Sequence, residues 1–259
     1  MPDSPRRRRL LTSVPLTALT VLAVGTGCGG SSGPTTLTVL ASSSLTEALD
    51  EIGTAYHHKH PDVRLRFEFG DAPRIAARLS GHHPGDVVVT ADHVSLNDSD
   101  DALTGRRRTI AHTSLTIAVA TGNPHRLRGL DDLTRPRLRV AVGADTVPVG
   151  RYTRQALAKA GLTVRWNSQE ISARAVLDRV RSGEADAGLV YVTDLRSAGV
   201  AVSSVPIPAD QNVTVTFPAA AIGDSDHKET ASAFVSWLVT PAAQKLLNKY
   251  GFATPTSPQ

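Results

Sequence analysis

The chain has 259 residues, of which 41% are hydrophobic and 20% charged, a balance typical of a soluble globular protein with a sizeable core. Only 4% are aromatic, which argues against a surface that stacks nucleic-acid bases. The net charge of +4 comes mostly from residues 1–27, which hold four arginines and one aspartate; the remaining 24 basic and 23 acidic residues give no support for a nucleic-acid partner.

Residues 1–27 have the pattern of a signal peptide that is removed after export. Arg6–Arg9 supply its positive start, and Leu10–Val24 is an apolar stretch, interrupted by Pro15, that is too short for a convincing membrane span. The following Gly-Thr-Gly-Cys resembles the lipobox of bacterial lipoproteins, in which the cysteine is diacylated and becomes the new N-terminus. We therefore expect lipidation of Cys28, a flexible tether at residues 28–36, and a protein anchored on the extracytoplasmic face of the cell membrane.

An ordinary signal peptide with an incidental cysteine is the alternative for this N-terminus. Residues 7–11 loosely match a twin-arginine signal, so both the Sec and the twin-arginine export routes stay open. Because Cys28 is the only cysteine, the mature chain cannot contain an internal disulfide.

Beyond the tether, strand and helix patterns alternate along the chain. Strands are predicted at residues 37–40, 64–69, 86–90, 115–120, 138–142, 187–191 and 213–221, and helices at residues 45–52, 75–79, 152–160, 173–180 and 230–247. Arg106–Arg108 is expected to be an exposed turn. This alternation predicts βαβ units and an α/β fold whose sheets are covered by helices on both faces.

The late return of the chain predicts two lobes joined by two crossover strands. We expect the crossovers at Leu115–Ala120 and Thr214–Ala219. Lobe I then comprises residues 37–116 and 217–254, and lobe II comprises residues 117–216.

Five segments, in the right order over residues 37–254, resemble the molybdate-binding proteins of bacterial ABC importers. They are residues 40–49 (LASSSLTEAL), residues 85–92 (GDVVVTAD), residues 140–152 with their Val-Pro-Val-Gly-Arg-Tyr turn, residues 183–194 (GEADAGLVYVTD), and the last helix with Tyr250-Gly251-Phe252. The resemblance implies a type II periplasmic-binding-protein fold, two Rossmann-like lobes that hold molybdate or tungstate between them for import. It also implies a membrane-bound ABC permease as the partner, and we expect a monomer.

The family comparison places five hydrogen-bond donors around the anion. They are the hydroxyls of Ser44 and Tyr191 and the backbone N–H groups of Ala72, Val149 and Ala173. Uncharged donors suit a protein that must release its cargo, and about five hydrogen bonds to a charged group give roughly 8–15 kcal/mol before entropic losses.

Each of these residues also has a purely structural interpretation. Ser44-x-x-Glu47 matches a helix capping box, and Tyr191 could be a core tyrosine with a protein partner. Val149 and Ala173 could simply begin helices.

The segment Phe69–Arg74 departs from the family pattern. Ala72 stands where the family has a serine that contacts the anion, so it lacks that hydroxyl and keeps only its N–H. Asp71 brings negative charge towards the site unless Arg74 or solvent compensates. Weakened affinity, or a receptor of the same fold for a different small ligand, therefore stays open.

Other classes of function find less support in the sequence. The histidines at residues 57, 58, 60, 82 and 83 invite a divalent-metal receptor, but no cysteine or carboxylate stands at a ligand-like spacing, and a solvated helix end is the alternative. No Gly-x-Ser-x-Gly elbow surrounds the serine triplet, so we predict neither an enzyme nor a cofactor. A scaffold role would predict no closed anion pocket.

Overall fold

The computed structural model describes residues 33–82, 84–97, 100–198 and 201–255. The predicted signal peptide, Cys28, most of the predicted tether and His83 lie outside these residues. The predicted tether ends earlier than expected, because the first strand already begins at Thr35.

No helix in the described part of the chain combines the length and the apolar character that crossing a membrane requires.

The first half of the chain alternates strands with helices. Its elements are β1 (Thr35–Ser42), a 3₁₀ turn (Ser43–Leu45), α1 (Thr46–Lys59), β2 (Val63–Gly70), α2 (Ala72–Leu79), β3 (Val87–Val89), α3 (Val94–Asn97), a second 3₁₀ turn (Asp100–Ala102) and β4 (Leu103–Ala120).

The second half continues the same alternation. Its elements are a 3₁₀ helix (Leu130–Thr134), β5 (Val140–Gly143), α4 (Pro148–Lys159), β6 (Ser168–Glu170), α5 (Ala173–Arg181), β7 (Ala187–Tyr191), α6 (Val192–Ala198), β8 (Val202–Pro206), β9 (Thr214–Ile222), α7 (Lys228–Trp237) and α8 (Pro241–Lys249).

The strands form two sheets that share β4. In the first sheet the order is β2-β1-β3-β9-β4, with β1 parallel to β2 and β3 and antiparallel pairs at β3–β9 and β9–β4. In the second sheet β4 pairs antiparallel with β7 and β8, while β5 runs parallel to β6 and β7. The mixed sheets confirm the predicted α/β class.

Strand β4 passes from one sheet to the other in its middle. Its residues up to Ser114 pair with β9, and those from Leu115 onward pair with β7 and β8. Strand β9 pairs only with strands of the first sheet among the described residues. The lobe boundaries given above remain a prediction.

Central strands of both sheets are buried along their whole length. Val87–Val89 and Ala187–Tyr191 have no exposed residue, as expected for strands covered by helices on both faces. These continuous apolar runs explain why the sequence pattern located both strands.

The single long helix predicted at residues 230–247 is wrong. Helix α7 ends at Trp237 and α8 begins at Pro241, after Thr240 adopts an extended conformation with ψ 155°. Proline lacks an N–H and disfavours helical geometry in the residue before it, so Pro241 ends one helix and begins the next.

The exposed turn predicted at Arg106–Arg108 is also wrong, because these residues lie within β4. The pairing register shifts between Thr104 and Arg108, and Gly105 adopts a positive φ of 70°, so the strand bulges here. Arg107 donates to Asn97 Oδ1 at 2.7 Å and pairs with Asp100, which holds the bulge against the preceding turn.

Candidate functional site

A small cavity lies where several strands end and several helices begin. Ser44 follows β1, Tyr191 ends β7, and Ala72, Val149 and Ala173 stand in the first turns of α2, α4 and α5. All five residues line this one cavity, although they come from both sheets. The structure therefore brings together every donor that the sequence singled out.

Three helix N-termini converge on the cavity. Asp71 caps α2 by accepting the Arg74 N–H at 2.8 Å, and Ser172 caps α5 by accepting the Ala175 N–H at 3.1 Å. The N-cap residue of α4 is Val147, whose apolar side chain cannot accept a capping hydrogen bond. The first N–H groups of a helix have no partner within it and carry the positive end of the helix dipole, so these three starts favour an anion.

Two glycines set the position of the α4 start against the end of β5. A Cβ on Gly150 would lie 1.9 Å from the Ala144 carbonyl oxygen, and a Cβ on Gly143 would lie 2.5 Å from Val149 Cγ1. Only residues without a Cβ allow the helix to begin this close to the strand. This close approach fixes where the Val149 N–H meets the cavity.

The capping-box interpretation of Ser44 is wrong. Ser44 lies inside the 3₁₀ turn, Leu45 is the N-cap of α1, and no side chain caps that helix. Glu47 instead accepts two hydrogen bonds from Arg174 of α5, at 2.9 and 3.0 Å. Glu47, which a capping box would require at the start of α1, therefore forms a long-range ion pair with Arg174 instead.

Tyr191 is 2% exposed, and its ring packs edge-on against Phe217. No hydrogen bond to its hydroxyl is found among the described residues, although a core tyrosine would ordinarily have one. Burial raises the pKa of Tyr191 well above its ordinary value, and the Asp194 carboxylate raises it further. The phenol therefore stays protonated and can donate into the cavity.

Two arginines near the cavity are paired with carboxylates. Arg151 of α4 donates to Asp92 Oδ2 at 2.5 and 2.8 Å, just as Arg174 of α5 pairs with Glu47. Each pair joins an element of the first sheet to a helix of the second. Among the described residues that line the cavity, the only charged side chain is Asp71, so the cavity presents no cation to a ligand.

The sequence reasoning missed Asp194, a buried carboxyl beside the cavity. It is 2% exposed, and its Oδ2 accepts the Tyr191 N–H at 3.1 Å. Burial raises the pKa of Asp194 to about 6, although the Tyr191 N–H and the Arg174 guanidinium lower it. One feature of the sequence could have indicated this residue: Asp194 lies three residues after the ligand candidate Tyr191, which ends a buried strand.

Two of the clustered histidines, His57 in α1 and His60 just after it, contact neighbouring residues. His57 Nδ1 lies 2.8 Å from the Val63 carbonyl oxygen, and the His60 ring stacks on Tyr56 with centroids 4.4 Å apart. The described ranges contain no group of three or more histidine, cysteine, aspartate or glutamate residues placed to hold a metal ion.

Comparisons with known proteins agree on one family. The family model described as bacterial extracellular solute-binding protein matches residues 37–253. The molybdate-binding protein ModA of Mycobacterium tuberculosis is 32% identical over 229 residues, which cover 88% of both chains. A putative ABC transporter substrate-binding lipoprotein of Bacillus subtilis, YvgL, is 24% identical and covers 93% of this chain and 97% of its own.

The fold also has solved counterparts. The periplasmic molybdate-binding protein of Azotobacter vinelandii superposes with a TM-score of 0.72 at 22% identity, covering 85% of this chain and all of its own. One further relative carries an enzyme's name: an aconitate isomerase of a Pseudomonas species, 26% identical over 84% of this chain and 87% of its own.

Proposed function

Because the chain belongs to the family of bacterial extracellular solute-binding proteins, we propose that it is the receptor of an ABC importer and binds molybdate or tungstate in this cavity. The observation that carries the proposal is that five uncharged donors, from both sheets, line one cavity. The described residues that line this cavity include no cation. The relative from Mycobacterium tuberculosis, named as molybdate-binding, supports the choice of anion.

The donor set suits a tetrahedral dianion. Two hydroxyls, from Ser44 and Tyr191, and three helix-start N–H groups would replace its water shell without a buried counter-charge. Hydrogen bonds to a charged group contribute roughly 1.5–3 kcal/mol each, so five of them bracket micromolar and tighter binding after entropic losses. An anion held by dipoles alone is released when the two sides of the cavity separate.

Isothermal titration calorimetry with molybdate, tungstate, sulfate and phosphate tests the proposal. We expect molybdate or tungstate to bind with micromolar or tighter affinity and to raise the melting temperature. Ser44→Ala should weaken binding, whereas Ser80→Ala, in an exposed serine at the far end of α2, should not. No heat and no thermal shift with any of the four anions would contradict the proposal.

We propose no catalytic role, despite the likeness to an aconitate isomerase. Apart from Tyr191, the cavity-lining residues that the structure describes include one titratable side chain, Asp71, which already caps α2. Incubation with aconitate, followed by proton NMR, should show no isomerisation. Conversion that Asp71→Asn abolishes would overturn this part of the proposal.

Anchoring and partners follow from the same family. We propose that Cys28 is lipidated and that the mature protein acts as a monomer that docks on a membrane permease. The Bacillus subtilis relative named as a lipoprotein supports the anchor. Cys28→Ser should release the protein from membranes into the medium, as immunoblotting of both fractions would show; equal retention of the variant would contradict lipidation.

A further inference from the structure

Two ion pairs join the two sides of the cavity. Arg151 of α4 pairs with Asp92, which follows β3, and Arg174 of α5 pairs with Glu47 of α1. In each pair the arginine lies on a helix of the second sheet and the carboxylate on a segment of the first. The partners are 59 and 127 residues apart along the chain, so both pairs depend on how the two sheets meet.

On the side of the second sheet, both arginines lie next to a proposed anion donor. Arg151 comes two residues after Val149, and Arg174 comes directly after Ala173. Both of these N–H donors stand in the first turn of their helix and line the cavity. A force on either guanidinium therefore acts on the helix start that faces the anion.

On the side of the first sheet, the carboxylates are placed in the same way. Asp92 directly follows Ala91, which lines the cavity, and Glu47 comes three residues after the proposed ligand Ser44. Each ion pair thus bridges two segments that face each other across the cavity. If the two sides of the cavity separate, both pairs must break.

The Arg151–Asp92 pair is shielded from water. Arg151 donates to Asp92 Oδ2 at 2.5 and 2.8 Å and to Ser95 Oγ at 3.0 Å, and the two side chains are 24% and 6% exposed. Arg151 also donates to the Thr146 carbonyl on its own side of the cavity, at 2.8 Å. The guanidinium is therefore held in a fixed direction towards the first sheet.

The Arg174–Glu47 pair is more accessible. Its side chains are 36% and 38% exposed, and one guanidinium nitrogen donates to both carboxylate oxygens at 2.9 and 3.0 Å. The same nitrogen lies 3.3 Å from the Ser43 carbonyl oxygen, next to Ser44. Water competes for such a pair, so we expect a smaller contribution from it than from the shielded pair.

We propose that Arg151–Asp92 and Arg174–Glu47 are two latches: positioning residues that hold the two sides of the cavity together around the bound anion without touching it. This inference rests on the proposed function of the cavity. Because the latches must break before the cavity opens, they slow the release of the anion, whereas its entry into the open cavity precedes their formation.

A double-mutant cycle on the accessible latch tests this proposal. Arg174→Ala and Glu47→Ala should each raise the Kd for molybdate about two- to fivefold, and the double variant should raise it no further than either single change. The increase should lie in the dissociation rate constant, measured by the release of radiolabelled molybdate into an excess of unlabelled molybdate. The association rate constant should stay within twofold of the wild type.

Arg179→Ala is the matched control. Arg179 lies on the same helix as Arg174, but its ion pair with Glu170 at 2.8 Å stays within the second sheet. The control removes the same charge and breaks no contact across the cavity, so its Kd should stay within twofold of the wild type. An equal loss of affinity in this variant would mean that the charge of the helix, and not the latch, attracts the anion.

The shielded latch is tested by Asp92→Asn. Asparagine can still accept the Ser95 N–H, which Asp92 Oδ1 accepts at 2.9 Å, but it removes the charge that faces Arg151. We expect the Kd for molybdate to rise about tenfold or more. An increase of less than twofold would overturn the proposal for this pair.

Three results of the cycle would refute the latches and leave the receptor function standing. They are a Kd change of less than twofold in both single variants, effects that multiply in the double variant, and an increase in Kd that lies in the association rate alone. A loss of stability in urea with an unchanged Kd would also refute them, because the pairs would then be fixed contacts that never open. Absence of molybdate binding by the wild type would refute the proposed function itself, and the latches with it.

Discussion

Replacement of Tyr191 by phenylalanine should lower the affinity for the anion and leave the stability of the fold almost unchanged. The change removes one hydroxyl from a ring that is 2% exposed and packed against Phe217, so the shape of the core is kept. Because that hydroxyl has no hydrogen-bond partner among the described residues, the free energy of unfolding should change by less than about 1 kcal/mol. The affinity for the anion should fall, since one of five donors is lost.

The size of that fall follows from the charge of the ligand. A hydrogen bond to a charged group contributes roughly 1.5–3 kcal/mol, which corresponds to a Kd increase of about 10- to 150-fold. Isothermal titration calorimetry with molybdate measures the affinity, and chemical denaturation without ligand measures the stability.

Tyr152→Phe is the matched control for this experiment. The Tyr152 hydroxyl accepts the Thr216 N–H at 3.3 Å, and the residue does not line the cavity. This variant should lose about 1 kcal/mol of stability and keep the wild-type affinity. If Tyr191→Phe binds molybdate within twofold of the wild type, the phenol is not a ligand and the reasoning fails.

Three further changes test the site from other sides. Gly150→Ala should destabilise the protein by about 3 kcal/mol in urea denaturation, because its Cβ would collide with the Ala144 carbonyl. Gly129→Ala should be neutral, because no atom of the described residues lies within 4 Å of the added Cβ; equal effects of the two changes would contradict the packing argument. Ala72→Ser restores a cavity hydroxyl and should tighten molybdate binding about tenfold, as calorimetry would show; no gain would mean that the hydroxyl misses the anion. The pKa of Asp194 in the folded protein, about 6, lies above its ordinary value of 3.8, so the folded state binds the proton more tightly than the unfolded state. The stability that this residue contributes is therefore present below about pH 4 and declines by about 3 kcal/mol as the pH rises through 6. Denaturation curves at pH 4 and 7.5 should show this decline for the wild type and not for Asp194→Asn.

Much of the fold follows from local sequence pattern. Val87–Val89 and Ala187–Tyr191 are continuous apolar runs, which is the signature of strands buried on both faces, and the structure has both. The ligand candidates came from the family resemblance, and the structure places all five along one cavity. Parallel strands end at one edge of a sheet, where the next helices begin, so the hydroxyl of Tyr191 and the start of α5 at Ala173 lie close together.

The features that the sequence could not predict depend on contacts between residues that are far apart along the chain. Glu47 pairs with Arg174, 127 residues away, so the local capping motif at Ser44 was misleading. Pro241 was the exception, because its effect is local and the break between α7 and α8 was readable in the sequence.

A crystal structure of the molybdate complex, with the metal located by anomalous scattering, tests the central claim most directly. We expect the anion in the cavity between the two sheets, within hydrogen-bond distance of the Ser44 and Tyr191 hydroxyls and of the Val149 and Ala173 N–H groups. An anion bound elsewhere, or held in the cavity by the guanidinium of Arg151 or Arg174, would contradict the claim that uncharged donors hold the cargo.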